Sequence, residues 1–144
     1  MKPKNNIHNN SNVPLLTQLI AQWHHKRNLI DGATDWSQTG KLLEEFVELV
    51  AAQMPTTTAP EDIHGEVSLM LDGLLVNGRI KPRLVNQSRL EAITDAIGDM
   101  AVVAINITER NNTTYAQCIK GAYNEIKHRK GKMVNGTFVK ESDL

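Results

Sequence analysis

The chain has 144 residues, which is enough for one domain with a hydrophobic core. Its 16 lysines and arginines balance its 16 aspartates and glutamates, so there is no overall charge that would draw it to nucleic acid or a membrane. The single cysteine, Cys118, excludes an internal disulfide; the absence of a signal-peptide stretch and of a membrane-length apolar run leads us to expect a cytoplasmic protein.

The N-terminal part of the chain changes from polar to helical. Residues 1–12 are rich in asparagine and lysine, and we predict a disordered lead-in before a helical domain over 13–144. From Pro14 onward, apolar residues repeat at three- and four-residue steps, and the basic run 24–27 is typical of a helix end. A second helix is predicted over about 37–53, before a loop rich in threonine and proline.

The rest of the chain contains three further predicted helices and one hairpin. The segment 55–84 contains a helix over about 61–76. The longest helix is predicted over 86–110 and the last over about 115–130. An Asn-Gly pair between apolar and β-branched residues predicts a β-hairpin over about 132–140. The sequence therefore predicts an all-α bundle with a short C-terminal β-hairpin.

Two of the predicted helices contain clusters of acidic residues. Glu44, Glu45 and Glu48 fall on one side of the second helix, and Asp95 and Asp99 lie four residues apart on the longest. Carboxylates at these spacings share a helix face, about 5–6 Å between Cβ atoms, and repel each other. Two such clusters facing each other would form an oxygen-rich site for Mg²⁺. The apolar sequence after Asp99 also predicts that its helix is largely buried, where an ionised carboxylate needs a partner.

The same acidic residues have a purely structural interpretation. A Glu-Glu-x-x-Glu string on an amphipathic helix is usually a solvated face. Asp95 and Asp99 would alternatively pair with Arg89 or Arg110 on the same helix. Spacing alone leaves both interpretations open.

Basic residues are concentrated at the end of the last predicted helix. Lys127, Arg129, Lys130 and Lys132 are candidates for binding phosphate, and Lys41 beside the first acidic cluster is another. The run is explained equally well as a solvated helix C-terminus, where cations interact favourably with the helix dipole.

Three further residues are candidates for binding a nucleoside. Trp23 and Tyr123 would stack on a base, although aromatic residues at helical spacing more often belong to a core. Asn106 would bond to the sugar or base, or to a neighbouring helix. The sequence does not separate these alternatives.

Several segments resemble one enzyme family. Residues 42–49, with the sequence LLEEFVEL, resemble the first acidic motif, E-x-x-E, of the MazG-like all-α nucleoside triphosphate pyrophosphohydrolases. Residues 95–99 resemble their second motif, usually E-x-x-D, although Ala96 replaces its glutamate and Asp95 is the nearest acid. Residues 122–136 are similar to the tail of the phage-type members.

The resemblance implies a four-helix-bundle-like MazG fold with an inserted helix, in a homo-oligomer that is a dimer or tetramer. It implies hydrolysis of (deoxy)nucleoside triphosphates to the monophosphate and pyrophosphate, in the host cytoplasm if the protein is phage-encoded. By the same resemblance, Mg²⁺, or Mn²⁺ as a substitute, would be held by Glu45, Glu48, Asp95 and Asp99. Glu44 or Glu45 would orient the attacking water as a general base.

Two other functional classes fit parts of the sequence. One is a non-catalytic helical interaction module whose acidic and basic faces bind a partner protein. The other is a small nucleic-acid binder that uses residues 127–132, but the neutral charge balance and the adjacent acids oppose it. A P-loop NTPase is excluded because the motif G-x-x-x-x-G-K-[ST] does not occur. We therefore expect a nucleotide as the partner, with neither nucleic acid nor a membrane.

Overall fold

A computed structural model describes residues 12–144, so the predicted lead-in lies almost entirely outside the described residues. The described residues form five α-helices and one two-stranded hairpin, which confirms the prediction of a mostly helical chain with a C-terminal hairpin. The elements are α1 (Val13–Lys26), α2 (Asp35–Ala51), α3 (Pro60–Val76), α4 (Arg89–Arg110), α5 (Tyr115–Ile126), β1 (Gly131–Val134) and β2 (Thr137–Lys140), with a 3₁₀ turn at Glu141–Asp143.

The helix ends follow local capping chemistry. At the start of α2, the Thr34 hydroxyl accepts a hydrogen bond from the Ser37 N–H, and the Ser37 hydroxyl accepts one from the Thr34 N–H, each 3.1 Å long. Thr114 and Gln117 form the same reciprocal pair at the start of α5. α3 ends before Gly78, whose φ of 63° is the left-handed conformation that glycine adopts without strain.

α5 ends at Ile126, about four residues before its predicted end. The Ile126 carbonyl accepts a 2.7 Å hydrogen bond from the indole N–H of Trp23 on α1. The Arg129 carbonyl accepts two hydrogen bonds, of 2.9 and 3.1 Å, from the Arg27 guanidinium. Side chains of α1 therefore bind carbonyls at and just after the end of α5, where the chain turns toward the hairpin.

The hairpin is antiparallel and its register is set by a tight turn. Gly131 lies opposite Lys140, and the two strands close around Asn135 and Gly136. These two residues have φ values of 49° and 79°, as a two-residue type I′ turn requires. The Glu141 N–H donates to the Lys130 carbonyl over 2.9 Å, so the strand ends are also held together.

The described chain divides into two compact units. The terminal unit comprises residues 12–33 and 89–144, and in it α5 packs against both α1 and α4. Its buried apolar residues are Leu16, Trp23 and Leu29. The middle unit comprises residues 34–88, and in it α2 packs against α3. Its buried apolar residues are Val50 and Val67.

α4 is far more exposed than its sequence predicts. None of its residues is buried, and within the terminal unit α5 is the helix that it packs against most closely. Its exposed large apolar residues are Leu90, Ile93, Ile97, Met100, Val102, Val103 and Ile105. The burial that the sequence predicts over most of this helix is therefore not observed within the described chain. Among residues 12–144, no helix has the length and apolarity needed to cross a bilayer.

Candidate functional site

The first acidic cluster lies on α2, in the middle unit. Glu44, Glu45 and Glu48 are all exposed. Glu44 is paired with Lys41, whose Nζ lies 2.7 Å from the Glu44 carboxylate. Glu45 and Glu48 make no hydrogen bond or ion pair with any residue in 12–144. Of the three glutamates, Glu44 therefore forms an ion pair, whereas the carboxylates of Glu45 and Glu48 are accessible to a cation.

The second acidic cluster lies on α4, in the terminal unit. Asp95 and Asp99 are one helical turn apart and both are exposed, whereas the sequence predicted that Asp99 is buried. Neither carboxylate has an ion pair within the described residues, so the alternative pairing with Arg89 or Arg110 is not observed. Each of the two helices thus presents two carboxylates without a protein partner on one face.

The chemistry of these four side chains fits a hard divalent cation. Mg²⁺ prefers carboxylate oxygen ligands, and exposed carboxylates need no rearrangement of a core to bind it. Within residues 12–144, no three His, Cys, Asp or Glu side chains are grouped so that they would hold a metal ion. Each of the two units, taken by itself, contains one pair of these carboxylates.

Trp23 is a packing residue. Its side chain is buried, and the Arg27 guanidinium carbon lies 4.5 Å from the centre of its ring. The ring of Phe138 approaches edge-on at 5.4 Å, and that of His24 at 5.3 Å. Burial lowers the pKa of His24, and the nearby positive charge of His25 lowers it further. Because Trp23 is buried among these groups, its ring is not accessible for stacking on a base.

The two other nucleoside candidates are accessible. Tyr123 is half-buried on α5, and Asn106 is exposed on α4. The Asn106 amide makes no hydrogen bond with the residues that the structure describes. Both stay candidates for contacting a nucleoside.

The basic run after α5 is accessible to solvent and only lightly paired. The Lys127 ammonium donates to the Asn124 side chain over 3.0 Å. The Arg129 guanidinium lies 3.9 Å from the Glu125 carboxylate, at the limit of an ion pair. Lys130 is exposed and has no side-chain partner in the described part of the chain. These cations are therefore free to meet an anion.

Part of this run lines a concave site, which we call the basic hollow. It has a volume of about 310 Å³ and lies where the end of α5 meets the end of the hairpin. Its lining residues are His128, Arg129, Lys130, Lys140, Glu141 and Ser142. Sequence reasoning found the first group of cations but missed Lys140, which is ten positions farther along. The hairpin register could have indicated it, because pairing Gly131 with Lys140 brings the backbone of Lys140 close to the end of the basic run.

No protein-family model, no curated protein and no solved structure matches this chain.

Proposed function

We propose that this protein is a Mg²⁺-dependent nucleoside triphosphate pyrophosphohydrolase with a MazG-like fold. It would hydrolyse a (deoxy)nucleoside triphosphate to the monophosphate and pyrophosphate. The observation that carries the proposal is the pair of carboxylates without partners on each of α2 and α4. Their spacing resembles the two acidic motifs of the family, and a helical chain with a C-terminal hairpin is compatible with its fold.

The four carboxylates have the role of metal ligands in this proposal. Glu45 and Glu48 on α2, together with Asp95 and Asp99 on α4, would hold Mg²⁺, or Mn²⁺ in its place. A bound divalent cation neutralises phosphate charge and lowers the pKa of a coordinated water. The part of these four side chains in the reaction would be to hold the cation.

Of the two candidate bases, Glu45 is the better placed. Glu44 is paired with Lys41 until a substrate displaces that ammonium group, whereas the carboxylate of Glu45 has no partner in residues 12–144. A general base must be free to accept a proton from water within hydrogen-bond reach. We therefore assign the orientation of the attacking water to Glu45.

Lys41 is available to the substrate despite its contact with Glu44. Both side chains are well exposed, and an ion pair of this kind contributes at most about 1 kcal/mol. A triphosphate carries more negative charge than one carboxylate and would compete for the ammonium group. Lys127, Arg129 and Lys130 supply further cations in the terminal unit.

We also propose that the protein acts as a homo-oligomer. α4 exposes large apolar side chains along its length. Covering them would favour association, because burial of apolar surface contributes about 25 cal/mol per Å². A second copy of the chain is the occupant that the family resemblance implies. Sedimentation velocity of the purified protein tests this, and a monomer at micromolar concentration would contradict it.

The activity is tested with a panel of ribo- and deoxyribonucleoside triphosphates, incubated with the protein and Mg²⁺ and separated by chromatography. We expect monophosphate and pyrophosphate, and no turnover when EDTA is present. The panel also identifies the preferred base and sugar. Diphosphate and phosphate as products would keep the metal and contradict the proposed bond cleavage.

The metal ligands are tested by Asp99→Asn, which keeps the size of the side chain and removes its charge. We expect turnover to fall at least about 100-fold. Loss of a direct metal ligand should reduce activity at least as much as loss of the hydrogen bonds that hold such a ligand in place. Glu109→Gln on the same helix is the matched control and should retain activity. Circular dichroism establishes that both variants remain folded. Equal activity in both variants would remove Asp99 from the site.

The interaction module remains the alternative. It predicts no turnover of any nucleotide by the folded protein. It also predicts that Asp99→Asn leaves stability unchanged, because Asp99 is exposed and has no ion pair in the described residues.

A further inference from the structure

The basic hollow combines positive charge with a fixed backbone. Three of its six lining residues are the cationic residues Arg129, Lys130 and Lys140, and Glu141 is the one acidic residue among them. His128 adds an imidazole, whose two nitrogens can donate or accept hydrogen bonds. Because opposite charges attract most strongly where several cations converge, the composition of this wall favours an anion of more than one charge.

The backbone under these side chains is held from three directions. The Trp23 indole binds the Ile126 carbonyl, and the Arg27 guanidinium binds the Arg129 carbonyl. The Glu141 N–H binds the Lys130 carbonyl. The segment that presents the cations is therefore ordered before any ligand arrives, and preorganisation of this kind reduces the entropic cost of binding.

The size and surroundings of the hollow narrow the class of ligand. Its volume of about 310 Å³ is at the lower end of the range for small-molecule sites. Single-stranded nucleic acid is usually bound by a long basic groove with exposed aromatic rings. Here Trp23 is buried and Phe138 packs against it. The hollow therefore suits a short polyanion better than a nucleic-acid strand.

We propose that the basic hollow binds an oligophosphate, meaning two or more linked phosphate groups, through Arg129, Lys130 and Lys140. The same chemistry occurs in free pyrophosphate and in the phosphate chain of a nucleoside triphosphate. Assigning the hollow to the substrate or product rests on the proposed function, whereas oligophosphate binding does not. Ser142 stands at the edge of the hollow, where its hydroxyl donates to the Asp143 carboxylate over 3.0 Å.

The test is isothermal titration of the full chain with sodium pyrophosphate in EDTA, where no metal-dependent turnover occurs. We expect one saturable site per chain. The double variant Lys130→Gln/Lys140→Gln should weaken binding at least about 10-fold, since each lost contact is a charge-assisted hydrogen bond. Arg110→Gln/Lys120→Gln removes the same charge from outside the hollow and should change the affinity less than about twofold. Circular dichroism verifies the fold of both variants.

The outcomes separate this inference from the proposed function. Equal weakening in both double variants, or no binding of pyrophosphate at all, would overturn the inference even if Mg²⁺-dependent turnover is found. Pyrophosphate binding that only the Lys130 and Lys140 changes abolish would support it even in a protein without turnover. If a nucleoside triphosphate competes with pyrophosphate, the substrate is the source of the oligophosphate. If only the nucleoside monophosphate competes, linked phosphates are not required and the inference is contradicted. Preferential binding of a single-stranded oligonucleotide would also overturn it.

Discussion

The contacts of Arg27 lead to a specific prediction about stability. Its guanidinium donates two hydrogen bonds to the Arg129 carbonyl and lies 4.5 Å from the centre of the Trp23 ring. The change Arg27→Met keeps an unbranched side chain that packs on the ring, but it removes the charge and both donors. The variant therefore isolates the polar connection between α1 and the segment that follows α5.

The expected loss follows from these contacts. A hydrogen bond from a charged donor contributes about 1.5–3 kcal/mol, and both bonds share one acceptor, so we count them as one. A cation above an aromatic ring adds about 0.5–1 kcal/mol where it is partly exposed to solvent. Because Arg27 is half-buried, we take the lower part of both ranges and expect a loss of about 2 kcal/mol in the free energy of unfolding.

The assay is urea unfolding followed by tryptophan fluorescence in a Trp36→Phe background. Trp36 is 85% exposed, so replacing it should leave the fold intact and make Trp23 the only tryptophan. With a slope of about 2 kcal/mol per molar urea, the loss corresponds to a midpoint about 1 M lower. Lys26→Met is the matched control, because it removes a neighbouring exposed charge from the same helix end. If Arg27→Met shifts the midpoint no more than Lys26→Met does, the guanidinium does not hold the two segments together.

Two further predictions concern the hairpin and α1. Gly131→Ala should destabilise the terminal unit by about 1–3 kcal/mol, because its new methyl group would meet a carbonyl oxygen across the hairpin and the ring of Phe138. Gly121→Ala, which adds a methyl group in open space on α5, should stabilise the unit by about 0.5–1 kcal/mol. Thermal unfolding of both variants measures the difference, and similar shifts in the two would contradict the prediction. Burial, and secondarily the charge of His25, lowers the pKa of His24, so the unfolded chain binds a proton more readily. Stability should therefore fall as the pH drops from about 7.5 through the ordinary histidine pKa of about 6.5 toward the lowered value, and His24→Gln should reduce that fall in urea titrations at several pH values.

The parts of the fold that depend on neighbouring residues could be predicted from the sequence. The hairpin is encoded by Asn135 and Gly136, which adopt the left-handed conformation that the turn needs. Gly78 ends α3 for a similar local reason. The contacts of the segment after α5 were not predictable in this way, since they are made with Trp23 and Arg27, more than 100 positions earlier in the chain.

The candidate site shows the same division. The spacing of Glu45 and Glu48, and of Asp95 and Asp99, places each pair on one helix face without any knowledge of the tertiary structure. Whether a carboxylate already has a partner depends on its surroundings, and the sequence wrongly predicted a buried Asp99. The apolar residues of α4 explain this error, because periodic apolar patterning predicts that a surface is to be covered but does not identify what covers it.

The terminal unit is discontinuous, and this affects the order in which the protein can fold during synthesis. Trp23 must wait for Ile126, which is translated 103 residues later, before its indole finds the carbonyl that it binds. The middle unit is a continuous stretch of chain and can form its α2–α3 contacts as soon as it leaves the ribosome. Until α5 and the hairpin have been synthesised, nothing packs against α1 as in the folded unit, and its apolar residues Leu16 and Trp23 are exposed. A nascent chain that stalls between these two points would therefore be a substrate for chaperones that bind exposed apolar helices.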